Sequence, residues 1–278
     1  MHCVCCIKQV PNTADVKIDP DTNTLIRSGV ESISNPFDLV ALETAVRLKE
    51  KYYGSRVTVI SMGPPQAESC LREALSLGAD EVFLLSDRAF AGADTLATSY
   101  TLAKAIEQVD RKKPVDLIVC GKQAIDGDTA QTGPGIATRL GYTQLTYVIE
   151  VQDLDKAKRQ IQVKRKIEGG VEVVRGPLPA LLTVELEAAE PRRASLPLLV
   201  AALRAKVSVW DAQTIRAEPA MIGLKGSPTW VKRIFGPPAR EGGPRFDAQK
   251  DHKLAVAQGV DALLADERFA AQFLKGWK

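Results

Sequence analysis

The chain has 278 residues, of which 45% are hydrophobic and 26% charged, proportions typical of a soluble globular protein with one large or two modest domains. A net charge of +3 and the lack of a dense basic run argue against nucleic-acid binding. No apolar stretch reaches the ~20 residues that a membrane span requires. The apolar start Met1–Ile7 precedes Lys8, whereas a secretory signal places its charge before a longer apolar segment. We therefore expect a cytoplasmic protein without a membrane span.

Four short apolar runs predict buried parallel strands, because both faces of such strands are covered by helices. These runs are Cys3–Ile7, Val57–Ser61, Val82–Leu85 and Leu117–Cys120. Amphipathic segments lie between them and predict helices. The first begins at Asn35-Pro36, with Asn35 expected to cap it, the second runs from Gln66 to Leu77, and the third from Thr95 to Val109. Strands that alternate with helices indicate an α/β fold with a doubly wound parallel sheet.

The pattern changes after Leu145. Thr146–Val151 reads as a strand, a hairpin with one solvated face is predicted around Gly169-Gly170, and Ala180–Val184 is a further buried strand. Beyond Glu190 the chain becomes rich in proline, at positions Pro228, Pro237, Pro238 and Pro244. Such a segment is expected to be an arm that lies on another chain, followed by helical periodicity over Leu254–Phe273.

The most informative segment for function is the small, polar, glycine-rich loop Gly121–Pro134, which follows a strand and opens a helix. Ligands of open parallel sheets bind at the carboxyl ends of the strands, and amide groups at a helix start bind phosphate. Gly127 and Gly133 would let the backbone approach a ligand closely. The loop matches neither the Walker motif nor the dinucleotide fingerprint. An ordinary turn in which Asp and Thr cap the helix remains the alternative.

Catalytic and metal sites have little support. The two histidines, His2 and His252, stand at opposite ends of the chain, so a nucleophile would lack a base and no catalytic residue is predicted. The spacing of Cys3, Cys5 and Cys6 fits no zinc or iron–sulfur motif, which favours free buried cysteines. Asp126 and Asp128 can hold Mg²⁺ beside phosphate, but no metal site is predicted. A binding or electron-transfer role is favoured.

Six runs of sequence resemble the electron transfer flavoprotein beta-subunit family over about residues 1–240. They are Val4–Val10, Ser34–Phe37 with Glu43–Lys49, Leu75–Asp80, Gly121–Asp126 and Glu190–Pro197. The resemblance implies a Rossmann-like, doubly wound, mostly parallel sheet with a β-hairpin extension and a C-terminal arm that embraces an alpha subunit. We therefore expect a nucleotide-binding α/β domain over 1–190, and a recognition loop with a C-terminal arm or helix, contacting the partner subunit, over 191–278.

The resemblance also bears on the cofactor. Mitochondrial-type members hold AMP in this subunit, whereas members of the electron-bifurcating branch hold a second FAD. This chain resembles the bifurcating branch in Phe90–Ser99 and in Asp126–Pro134, where Gly127 and Ala130 leave space for FAD. The implied cofactor-binding residues are Cys6, Asn35, Met62, Asp94, Thr95, Thr98, Asp126, Gly127, Asp128, Thr129, Ala130, Gln131 and Thr132. Cys6 departs from the Ala common in the family, and Thr95 and Thr98 can alternatively serve as helix-capping and surface residues.

By resemblance, Leu196 in the loop Pro191–Leu199 would insert into a pocket of an acyl-CoA dehydrogenase-like partner; alternatively it folds back onto the core. The implied function is bifurcation. NADH would reduce FAD in this subunit, one electron would pass through the alpha subunit to that partner, and the other to ferredoxin or flavodoxin. One alternative is a non-bifurcating carrier subunit that holds structural AMP. An alternative of another class is a stand-alone nucleotide-binding regulatory protein.

Overall fold

The computed structural model describes residues 1–12, 31–232, 244–249 and 251–266. The strands are β1 (His2–Cys6), β2 (Gln9–Pro11), β3 (Ser32–Ser34), β4 (Arg56–Met62), β5 (Glu81–Leu85), β6 (Leu117–Gly121), β7 (Thr143–Asp155), β8 (Gln160–Ile167), β9 (Gly170–Pro177), β10 (Ala180–Val184) and β11 (Ser208–Trp210). The helices are α1 (Pro36–Lys51), α2 (Glu68–Ser76), α3 (Thr95–Lys112), α4 (Thr132–Leu140), α5 (Leu196–Arg204) and α6 (His252–Ala265). Two compact units comprise residues 1–234 and 235–278, and α6 belongs to the second.

The first unit is built on a sheet with the strand order β11-β5-β4-β1-β6-β10-β7-β8-β9 among the described residues. The pairings from β11 to β7 are parallel, and β7, β8 and β9 are antiparallel. Strands β6 and β10 are buried along their whole length, as expected for strands covered on both faces. The predicted α/β fold, a mostly parallel sheet with a hairpin extension, is confirmed.

Two apolar cores cover the two faces of this sheet. Helices α1 and α2 pack on one face, and α3 and α4 pack on the other. Because side chains alternate along a strand, Cys3 and Cys5 enter the first core while Val4 enters the second. Burial raises the pKa of the Cys3 thiol to about 12 and also raises the pKa of Cys5. Both are free, buried thiols that remain protonated and chemically inert.

Element boundaries differ from the sequence prediction at the start of α2 and the end of β7. Helix α2 begins at Glu68, two residues later than predicted, because Pro65–Ala67 forms a 3₁₀ turn. Its end follows the prediction, since Gly78 adopts a positive φ of 113° just beyond it. Strand β7 is longer than predicted and reaches Asp155, because its distal half pairs with β8.

The chain after Glu190 is more ordered than its proline content suggested. Helix α5 forms there, and β11 adds a parallel edge strand to β5. Trp210 stacks on Phe83 with ring centroids 3.9 Å apart, and Ile215 and Ile222 are buried in the second core. These elements belong to the first unit, and a functional division at residue 190 stays a prediction. Contact of the later residues with a partner subunit stays a prediction.

The second unit contains the predicted C-terminal helix, which the structure describes as α6 from His252 to Ala265. Asp251 caps it by accepting hydrogen bonds from the backbone amides of Lys253 and Leu254. The rest of the predicted segment, up to Phe273, lies outside the described residues, as do Pro237 and Pro238. No helix of the described ranges is long and apolar enough to cross a membrane.

Candidate nucleotide-binding site

The polar loops converge where the order of the sheet reverses. The chain proceeds from β1 to its neighbour β4, and later returns to pair β6 with the opposite edge of β1. Because these strands are parallel, their carboxyl ends share one edge, at Cys6, Met62 and Gly121. A crevice at such a switch point is the usual ligand site of a doubly wound sheet.

Asn35 ties the start of α1 to the loop after β6. Its side-chain Nδ2 donates to the carbonyl of Gln123 at 2.8 Å, and its Oδ1 accepts from the amide of Ile125 at 3.2 Å. It makes no side-chain capping bond to α1, so the predicted cap is wrong. Both polar ends of the amide are engaged by the loop, which makes Asn35 a support for residues 123–125.

Ionic and polar contacts fix the next part of the loop. Lys8 Nζ lies 2.6 Å from Asp126 Oδ1 and 2.7 Å from its Oδ2, and Gln123 Nε2 donates to Asp128 Oδ1 at 2.8 Å. The two carboxylates proposed as an alternative Mg²⁺ site thus each have a partner within the chain. The described residues contain no group of three or more potential metal ligands.

The start of α4 offers an anion site. Gln131 precedes the helix without a side-chain capping bond, so no side chain of its own neutralises the first-turn amides and the helix dipole there. The preceding loop is exposed at Gly127, where an added Cβ would meet no atom within 4 Å. Asp128 and Ala130 have positive φ angles of 50° and 54°, a conformation uncommon for residues other than glycine that concentrates at functional sites.

Two glycines of α4 serve packing. A Cβ on Gly133 would lie 2.7 Å from Cγ2 of Thr183 on β10, and a Cβ on Gly135 would lie 2.8 Å from the side chain of Ser99 on α3. Gly133 is buried against the sheet, so its lack of a side chain serves packing, and the approach of its backbone to a ligand stays a prediction. The close approach of α4 to β10 and α3 fixes the direction of its N-terminus.

Helix α3 also begins at this edge, but its N-terminus is occupied. Asp94 Oδ1 accepts from the amides of Leu96 and Ala97 at 2.9 and 3.0 Å, and Oδ2 accepts from the amide and hydroxyl of Thr229 at 3.1 and 2.7 Å. Burial tends to raise the pKa of Asp94, but hydrogen bonds from Ala97 and Thr229 outweigh this and lower it. Asp94 is therefore a helix cap that also holds the segment around residue 229.

Thr95 links α3 to the loop. Its hydroxyl donates to Gln131 Oε1 at 3.0 Å, which brings the predicted residues of the two segments together. Thr98 lies on the next turn of α3 and is half-buried. Thr129 lies in the loop, and Thr132 is the first residue of α4. Cys6 and Met62, at the carboxyl ends of β1 and β4, are half-buried against the second core, and Cys120 lies opposite Cys6 on β6.

Asp38 is a site residue that the sequence did not single out. The amide of Lys8 donates to its Oδ2 at 2.8 Å, and it also accepts from the side chain of Asn35 and the backbone of Gly121. Burial raises the pKa of Asp38 to about 7. The signal available in the sequence was an acidic residue in the first turn of α1, on an otherwise apolar face. Asp38 joins the loops that follow β1 and β6.

Leu196 lies apart from this crevice, at the first residue of α5. Its side chain is 72% exposed, so the alternative in which it folds back onto the core is wrong. The rest of α5 is also largely apolar and exposed, at Leu198, Leu199, Val200 and Leu203. The predicted loop is irregular only as far as Ser195.

Comparison with known proteins agrees with the fold. The electron transfer flavoprotein domain matches residues 22–215. Protein FixA of Azotobacter vinelandii is 53% identical over 241 residues, which cover 86% of this chain and 85% of that protein. The electron transfer flavoprotein subunit beta of Megasphaera elsdenii is 45% identical over an alignment that covers 94% of this chain and 96% of that protein. The caffeyl-CoA reductase-Etf complex subunit CarD of Acetobacterium woodii is 49% identical over an alignment that covers 87% of this chain and 90% of that protein. The chain therefore belongs to the electron transfer flavoprotein family, as a beta-type electron-transfer subunit.

Proposed function

We propose that this subunit binds FAD in the crevice at the carboxyl ends of β1, β4 and β6. With an alpha subunit, it would then divide the electrons of NADH between ferredoxin or flavodoxin and an acyl-CoA dehydrogenase-like partner. The observation that carries the proposal is the start of α4, which lacks a side-chain cap and faces an exposed loop. When bound there, FAD would supply the chemistry of accepting a hydride and releasing electrons singly.

The residues of the crevice fit a dinucleotide phosphate. In the first turn of α4, the amides of Thr132 and Gly133 can donate to the pyrophosphate, since Pro134 has no N–H and the amide of Gly135 donates to the Gln131 carbonyl. The Lys8 ammonium lies near the same loop through its contact with Asp126. The hydroxyl of Thr129 and the side-chain amino group of Gln131 offer further donors at the rim, while Thr95 holds Gln131 through its own hydroxyl. The chain's part is to bind, orient and shield the cofactor.

Space at the loop favours FAD over AMP. The Cβ position of Gly127 is open, and Ala130 presents only a methyl group beside it. A larger ligand can lie against these two positions, whereas bulkier side chains would fill them. Structural AMP is the competing occupant, and a carrier that holds AMP here would use the same phosphate site with a shorter ligand.

The remaining partners follow from the family and the exposed surface. Beta-type membership implies an alpha subunit. CarD is named as part of a complex with caffeyl-CoA reductase, and by analogy we propose that a reductase of the acyl-CoA dehydrogenase type docks on Leu196. The 72% exposure of this side chain suits an anchor that becomes buried in a partner.

Coupled electron transfer tests the function. The purified heterodimer is mixed with NADH, ferredoxin and the acyl-CoA dehydrogenase-like partner, and ferredoxin reduction is followed with and without the enoyl-CoA substrate of that partner. We expect ferredoxin reduction only when the enoyl-CoA substrate is present, because the two electron paths are coupled. Reduction of the partner by NADH that needs no ferredoxin would instead identify a simple carrier.

A further inference from the structure

Helix α5, which carries Leu196, has little of its own to hold it in place. It has nine residues, of which only Ala202 is buried, and helices of this length are marginal in water without tertiary packing. Ser195 at its start provides no side-chain cap. Its position must therefore depend on contacts from other elements.

Arg72 on α2 supplies these contacts at the C-terminus of α5. Its Nη1 donates to the carbonyls of Ala202, Leu203 and Ala205 at 2.8, 3.1 and 3.3 Å. Carbonyl groups of a last helical turn have no partner within the helix, and a cation there also opposes the negative end of the helix dipole. One guanidinium group thus closes the end of α5.

Arg72 is itself fixed by Glu68, one turn earlier on α2. Its Nε and Nη2 lie 2.8 and 2.6 Å from Glu68 Oε1. Two edges of the planar guanidinium are therefore engaged, one by α2 and one by α5. A lysine cannot reproduce this arrangement, because its ammonium is a single point of attachment.

The segment that leads into α5 is tied to α1 in a similar way. Arg192 Nε lies 2.8 Å from Oε2 of the buried Glu43, and its Nη1 lies 2.6 Å from Glu50 Oε1. Arg47 Nη2 donates to the carbonyl of Glu190 at 3.0 Å. Leu196 is thus presented between two fixed points, one at Arg192 and one at Arg72.

We propose that Arg72 is a positioning residue for partner docking, which acts by holding α5 so that Leu196 and its apolar neighbours present a preformed surface. This inference rests on the proposed docking role of Leu196. A preformed surface binds more tightly than a mobile one, because less conformational freedom is lost on association. Truncating Arg192 would leave the buried Glu43 without its main partner and threaten the fold, so Arg72 is the residue to vary.

The test compares Arg72→Ala, Arg72→Lys and Lys104→Ala in the intact heterodimer, in wild-type and Leu196→Ala backgrounds. Lys104 is the matched control, because its pair with Glu107 on α3 is about as exposed as that of Arg72 with Glu68. Hydrogen exchange of the α5 amides and affinity for the acyl-CoA dehydrogenase-like partner are measured. We expect Arg72→Ala to speed exchange in α5 alone and to weaken docking about fivefold, Arg72→Lys to restore part of both, and Lys104→Ala to change neither.

The Leu196→Ala background separates the two proposals. If Arg72 acts through Leu196, Arg72→Ala should weaken docking much less in that background. Unchanged exchange in α5, or an equal loss of affinity in both backgrounds, would overturn the positioning role. A Leu196→Ala variant that docks like wild type would contradict the proposed docking function itself and overturn the inference with it.

Discussion

Lys8 and Asp126 join the two sides of the switch point. The ammonium of Lys8, which follows β1, lies 2.6 and 2.7 Å from the two carboxylate oxygens of Asp126, in the loop that follows β6. The residues are 118 positions apart in the chain, and their contact depends on the parallel pairing of β1 with β6. This contact places a cation at the rim of the proposed phosphate site.

Replacing Lys8 should weaken cofactor retention. Lys8→Gln removes the cation and leaves Asp126 free to repel a phosphate, so we expect FAD to be held about fivefold less tightly, in line with the loss of one exposed ionic contact. Asp126→Asn is the matched control, because it releases Lys8 toward the ligand and should retain FAD at least as well as wild type. The measurement is flavin remaining after gel filtration of the heterodimer. Full retention in Lys8→Gln would be evidence against a phosphate at this rim.

Larger side chains at positions 127 and 130 should displace the flavin without destabilising the fold. The Cβ of Gly127→Asp meets no protein atom, and asparagine tolerates the left-handed conformation of Ala130, so Ala130→Asn is not strained. In the double variant the added carboxylate also repels pyrophosphate by about 1 kcal/mol or more. We expect flavin per heterodimer to fall from two toward one at unchanged thermal stability. Retention of all flavin would show that the ligand does not lie against these positions.

Truncating the exposed anchor should affect docking alone. Leu196→Ala is expected to weaken binding of the acyl-CoA dehydrogenase-like partner by about 2 kcal/mol, with flavin content unchanged, because α5 lies apart from the crevice. Tyr53→Ala is a suitable control, since Tyr53 is fully exposed on the turn after α1. Calorimetric titration of the partner gives both affinities. Equal affinity of the Leu196→Ala and wild-type heterodimers would refute the anchor role.

Asp38 should make stability depend on pH. Burial raises its pKa from 3.8 to about 7, so the native state keeps a proton that the unfolded chain releases. The resulting stabilisation is complete below the unfolded pKa and is lost as the pH rises through 7. Asp38→Asn, which does not titrate, should lack this loss, so its melting temperature relative to wild type should rise between about pH 5 and pH 8. A melting-temperature difference between Asp38→Asn and wild type that stays constant with pH would contradict the raised pKa of Asp38.

The sequence was sufficient for features that depend on local pattern. Continuous apolar runs such as Leu117–Cys120 predicted the buried strands, and Gly169-Gly170 predicted the turn between β8 and β9. It was insufficient for β11, a three-residue edge strand whose pairing with β5 bridges distant parts of the chain. Helix α5 was missed because Pro191–Leu199 was assigned to a loop by resemblance, although proline is well suited to a first helical turn such as that at Pro197.

The same distinction between local pattern and long-range pairing holds for the candidate site. The loop Gly121–Pro134 was predicted as a phosphate site because its composition and place after a strand are local features, and the resemblance implied residues 126–132 within it. The contacts that support this loop were not predicted. Lys8 and Asp38 reach it only through the register of the sheet, and Asn35 was expected to cap α1 or bind the cofactor. The packing role of Gly133 was not predicted, because sequence cannot distinguish a glycine that faces a cofactor from one that allows close helix packing.

The central claim is that this subunit holds FAD at the start of α4. It is tested most directly by releasing and quantifying the nucleotides of the wild-type heterodimer, purified without added cofactor. The account predicts two FAD and no AMP per heterodimer, with one FAD lost in the Gly127→Asp, Ala130→Asn variant. A single FAD together with stoichiometric AMP would contradict it and would identify a carrier with a structural nucleotide in the same crevice.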